Sequence, residues 1–79
     1  MAPYASRVTD DAIRDLFAQR GDPIIGWDGS RMMTQAALEG EDADLAAVSA
    51  WVEKVGGQAE PTHDHGVRYI VPPEAFAVS

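Results

Sequence analysis

Apolar residues near the start of the chain recur at helical spacing. Ile13, Leu16 and Phe17 fall on one stripe, while Arg14, Asp15 and Gln19 point away from it. Thr9 stands where an N-cap is needed. Asp10 and Asp11 occupy the first turn, where the helix dipole favours negative charge, and Val8 and Ile13 have the spacing of a hydrophobic staple. Gly21 and Pro23 stop the pattern, so a helix is predicted over residues 10–20. Residues 23–27 form a short β-branched run between Asp22 and Asp28-Gly29 and predict a brief strand ending in a turn. Ser30 then stands as the cap of a short second helix over 31–39, closed by Gly40, with Met33, Ala36 and Ala37 facing inward.

A third helix is predicted from Asp42, its expected cap. Leu45, Val48, Val52 and Val55 recur at three- and four-residue steps, Trp51 widens the stripe, and Gly56-Gly57 ends it. Residues 58–62 and 67–71 then flank His63-Asp64-His65-Gly66 as a hairpin. Val67, Tyr69 and Val71 alternate with Arg68 and Ile70, and Pro61 assigns its strand to a sheet edge. Pro72-Pro73 closes the last strand, and Phe76 is placed to fold back onto the core. The expected organisation is an arm over 1–7, one domain over 8–72 and a tail over 73–79. The fold class is α+β, with three helices, a short strand and a C-terminal β-hairpin.

Composition narrows the chemistry. The 79 residues suit one small domain, and 46% apolar content is enough for a core. Cysteine is absent, which removes disulfides and thiolate metal sites. No apolar run approaches the roughly 20 residues that span a bilayer, and the first seven residues lack the apolar core of a signal peptide. A cytoplasmic protein without a membrane partner is the expectation. Thirteen acids against six bases leave a net charge of −7.

Over residues 9–71 the order is helix, short strand, two helices and a hairpin. A third helix ending Trp51-Val52-Glu53-Lys54-Val55-Gly56-Gly57, followed by a hairpin closing on Gly66-Val67-Arg68-Tyr69-Ile70-Val71, resembles the recognition helix and wing of the winged-helix (helix-turn-helix) family. In DNA-binding members, the resemblance implies, the turn before that helix, its exposed side and the wing meet phosphate. Here the turn is Glu39-Gly40-Glu41-Asp42-Ala43-Asp44, with four acids in six residues. The helix offers Lys54 at its far end, and the wing offers Arg68 and two histidines. Direct DNA binding is therefore disfavoured, and the resemblance points instead to members that bind proteins.

Candidate sites divide between chemical and ordinary roles. On a helical wheel Ala43, Ala46, Ala47 and Ala50 lie opposite the apolar stripe, with Glu53 and Lys54 at the end. Such a face allows close approach of another surface; alanine is also simply the best helix former. Glu39, Glu41, Asp42 and Asp44 suit a partner's arginines or an imitation of DNA phosphates, or merely a solvated loop. They lack the ligand pattern of a calcium loop. His63 and His65, with Glu60 or Asp64 as a third ligand, could ligate a metal; two histidines in a loop tip are a weak signal against a solvated turn, and no metal or other cofactor is expected. Both tryptophans are expected in the core, although Trp27 precedes Asp28-Gly29 at a strand end. Exposed beside Met32 and Met33, it would anchor an interface. Ser6, Ser30, Ser49 and Ser79 lack a nucleophile-elbow context, and no phosphate-binding glycine loop is present, so no catalytic residues are assigned.

The leading expectation is a non-enzymatic acidic regulator or inhibitor that binds a basic protein partner, such as a nucleic-acid enzyme. The contact residues would be Glu39, Glu41, Asp42, Asp44, Ala46, Ala50, Glu53 and Trp27. Two alternatives are a dimeric DNA-binding regulator using Arg31, Lys54 and Arg68, and a structural subunit of a larger assembly. A homodimer is compatible with each.

Overall fold

A computed structural model describes residues 9–24 and 26–77. The first helix, α1, is Asp10–Arg20. The Thr9 hydroxyl accepts from the Ala12 amide at 3.2 Å, and the Gly21 N–H donates to the Phe17 carbonyl at 2.8 Å. Val8 and the arm over 1–7 lie outside the described residues.

The next segment departs from expectation. In place of one brief strand and a helix over 31–39, the chain makes β1, Asp22–Ile24, and a longer β2, Trp27–Thr34. They pair antiparallel, with Asp22 opposite Met32 and Pro23 opposite Arg31. Ile24 then faces Trp27, which leaves residues 28–30 of β2 without a counterpart. Gly29, at φ 85°, allows this bulge. Ser30 is a buried strand residue and not a cap. The second helix, α2, is only Gln35–Gly40 and is capped by Thr34, whose hydroxyl accepts from Ala37 N–H at 3.2 Å. Met33 is buried from the strand, Ala36 and Ala37 are exposed, and Leu38 supplies the inward side chain. The reason is pairing. Arg31–Thr34 are in register with Arg68–Val71 of the final strand, and those ladder bonds override the helix preference of Arg and Met.

The third helix, α3, is Leu45–Lys54. Its cap is Asp44, which accepts from Ala46 N–H at 3.0 Å and Ala47 N–H at 3.3 Å. Asp42, the expected cap, instead terminates α2. It adopts φ 57°, and the following Ala43 N–H reaches back to the Leu38 carbonyl at 3.0 Å. The hairpin falls where the alternation placed it, as β3, Gln58–Pro61, and β4, Val67–Val71. A 3-10 turn, Pro73–Phe76, follows, with Ala75 buried.

Among the described residues, four strands form one antiparallel sheet in the order β1-β2-β4-β3. This is a mixed α+β fold with three helices over one face of the sheet. Ile13, Leu16 and Phe17 of α1, Leu38 of α2, and Val48, Trp51 and Val52 of α3 meet Met33, Tyr69 and Val71 of the sheet in one core. Trp51 lies at its centre, with ring centroids 5.3 Å from Phe17 and 6.5 Å from Phe76. The opposite sheet face carries Met32, Ile70, Arg68 and Thr34 and has no helix over it among the described residues.

Candidate functional site

The expected contact residues separate into two regions. Glu39, Glu41, Asp42 and Asp44 crowd the turn between α2 and α3, because α2 is short and its terminating bend consumes Glu41–Ala43. Ala46, Ala50 and Glu53 are exposed at i, i+4 and i+7 on α3 and continue from that turn, with Ser49 between them. Ala43 and Ala47 are partly buried against the core and drop out of the proposed alanine face. Trp27 lies elsewhere. It stands beside Gly56 and Gly57 past the far end of α3, about 15 Å of helix from the acidic turn.

Trp27 is 61% exposed, whereas Trp51 is 3% exposed, so the core expectation holds only for Trp51. Position explains the difference. Trp27 opens β2 before the bulge and lies over the outer sheet face, lining a shallow cavity of about 210 Å³ with Ile24, Ile70, Gln58, Glu60 and Arg68. Met33 is turned into the core and cannot flank it.

The distribution of ion pairs is the sharpest electrostatic feature. Arg14 meets Asp11 at 3.3 Å and Asp15 at 4.0 Å, Arg20 meets Glu41 at 3.7 Å, and Lys54 meets Asp10 at 2.6 Å. Arg68 donates to the Glu60 carboxylate through Nε and Nη2, at 3.1 and 2.9 Å. Arg31 donates to the Gly21 carbonyl at 3.4 Å. Every cation among the described residues is thus engaged by the protein itself. Asp42 and Glu53 have no ion-pair partner among those residues, and Glu39 meets only the Gln35 amide, at 3.4 Å. Among the described residues, Asp42, Glu53 and Glu39 of the turn and the exposed α3 face therefore meet no cation.

The hairpin loop is organised by hydrogen bonds. Thr62 accepts from the Gly66 N–H at 3.0 Å and donates its hydroxyl to Asp64, which holds the Asp64 carboxyl below its ordinary value. His65 takes φ 65°. Among the described residues no group of three or more His, Asp or Glu is placed to hold a metal ion.

One feature went unread in the sequence. A groove of about 180 Å³ runs between α3 and β3, floored by Val52 and Tyr69 and rimmed by Ser49, Glu53, Gln58 and Ala59. Pro61 marked β3 as an edge, but only the fold shows that this edge faces α3. No protein-family model, curated protein or solved structure matches the chain in comparison.

Proposed function

We propose that the chain is a non-enzymatic protein-interaction domain of winged-helix-like form, a regulator or inhibitor whose acidic α2–α3 turn and exposed α3 face receive a basic protein partner. The order β2-β4-β3, with α2 and α3 between β2 and β3, supports that form. Strand β1 and the bulge at residues 28–30 are additions to it. The carrying observation is the ion-pair distribution: the described cations are engaged by the protein's own acids and carbonyls, while Asp42, Glu53 and Glu39 meet no cation among the described residues. A surface of one sign raises the encounter rate with an oppositely charged partner by roughly 10–1000-fold. The small side chains of Ala46 and Ala50 let that partner approach the helix closely.

The test uses a nonaarginine peptide and the full chain. Amide shifts should concentrate on residues 39–44 and on the exposed side of α3. A Glu39→Gln, Asp42→Asn, Glu53→Gln variant should associate about tenfold more slowly. Asp44 and Glu41 are left intact because one caps α3 and the other pairs with Arg20. Shifts spread evenly over all acidic residues, or an unchanged association rate, would overturn the proposal.

A further inference from the structure

The open edge of β3 offers more than charge. Thr62 N–H donates to the Gly66 carbonyl at 3.0 Å, and Glu60 faces Arg68 and Gln58 faces Ile70 in the same register. In an antiparallel ladder, hydrogen-bonded pairs alternate with non-bonded ones. Gln58 and Glu60 therefore turn their backbone groups toward β4, and Ala59 turns both its N–H and its C=O outward. No hydrogen bond to either group is found among the described residues, and Ala59 is exposed. The adjoining space is the groove against α3, where Glu53 stands exposed with no ion pair among the described residues.

We propose that this edge binds an extended basic peptide segment of a partner protein, which adds antiparallel to β3 as a fifth strand in the groove beside α3. The inference deepens the reading of a basic partner and rests on it. The added residue opposite Ala59 exchanges both backbone bonds with it, N–H to the Ala59 carbonyl and C=O from the Ala59 N–H. Its side chain shares the Ala59 side of the sheet, which is the Tyr69 and α3 side, and meets Glu53; lysine or arginine is the complement. Its two neighbours project to the outer face, where Gln58 and Glu60 lie beside Trp27 and Ile70, so apolar residues suit them. Pro61 has no N–H, which limits the added strand to a short one centred on Ala59.

The probe is a blocked pentapeptide, threonine–valine–lysine–valine–threonine, titrated into the full chain and followed by amide spectra. The Ala59 amide should shift and its hydrogen exchange should slow at least tenfold. Methylating the lysine amide nitrogen of the peptide should abolish binding. Glu53→Lys should weaken the lysine peptide about tenfold and admit the same peptide carrying glutamate. An unmoved Ala59 amide at millimolar peptide, or equal affinity of Glu53→Lys for both peptides, would overturn the inference. If nonaarginine still maps to residues 39–44 in that case, the acidic-surface reading survives. Protection of Ala59 without any nonaarginine site would overturn that reading alone.

Discussion

The Asp44 carboxylate accepts from the Ala46 and Ala47 amides, so Asp44→Ala leaves two donors of the first turn of α3 without their partner. The expected loss is about 1 kcal/mol, read as a shift in the urea or thermal midpoint. Asp42 sits two residues earlier in left-handed backbone at φ 57°, a conformation that costs an L-residue roughly 1–2 kcal/mol and glycine almost nothing. Asp42→Gly should leave the midpoint unchanged or raise it. Equal losses from the two substitutions would contradict the assigned caps. A second contrast separates backbone strain from steric conflict. Gly26 and Gly29 both have positive φ, at 84° and 85°, but a Cβ on Gly26 would meet nothing within 4 Å, whereas one on Gly29 would stand 2.7 Å from Pro73 Cβ. Gly29→Ala should destabilise the fold by about 1–3 kcal/mol and clearly more than Gly26→Ala. The difference between the two midpoints measures how tightly the β2 bulge is held against the 3-10 turn.

At the scale of elements, α2 shows what a short helix needs. Six residues are too few to be helical alone, so its existence depends on Leu38, which is completely buried, and on the Thr34 cap. Leu38→Ala should cost about 2–5 kcal/mol and release the amides of α2 to hydrogen exchange before those of α1; simultaneous release would argue against this dependence. The hairpin loop responds to pH instead. The Asp64 carboxyl is held below its ordinary value, first by the Thr62 hydroxyl and then by backbone amides. A depressed folded value contributes stability above the unfolded value, and that contribution is lost as pH falls through the folded one. Thr62→Val should move the Asp64 titration upward, as followed through its side-chain carbonyl resonance. Helix α1 was readable in full because cap, stripe and stop all agree, and the hairpin was readable because Val67, Tyr69 and Val71 alternate. The stretch from Arg31 to Thr34 was not, because its strand state depends on a partner, Arg68–Val71, far along the chain. The acidic turn was visible as composition. The orientation of Ala59 and the exposure of Trp27 were not, since both follow from ladder register.

For the molecule as a whole, the decisive quantity is how far its charge acts. The protein measures 39 × 36 × 19 Å and carries −7. At about 10 mM salt the Debye length is roughly 30 Å, comparable with those dimensions, so an approaching polyanion meets the full net charge. Near physiological salt the length falls to about 8 Å, and only the nearest side chains act. A reader of DNA binds most tightly at low salt because it gathers cations that displace counterions. Here Arg14, Arg20, Lys54 and Arg68 are already paired with acids, and Arg31 is held by a carbonyl. Duplex DNA should therefore show no retardation at about 10 mM salt, and retardation that weakens steeply with added salt would contradict the acidic-surface reading. A basic peptide should bind at that same low salt. Its association rate should fall as salt rises, because steering by the net charge is screened. The ratio between the unaltered chain and the Glu39→Gln, Asp42→Asn, Glu53→Gln variant should persist, because the contact acids act at short range, where screening is weak. If that ratio collapsed to one at physiological salt, the turn and α3 would be acting only as bulk charge and not as a contact surface.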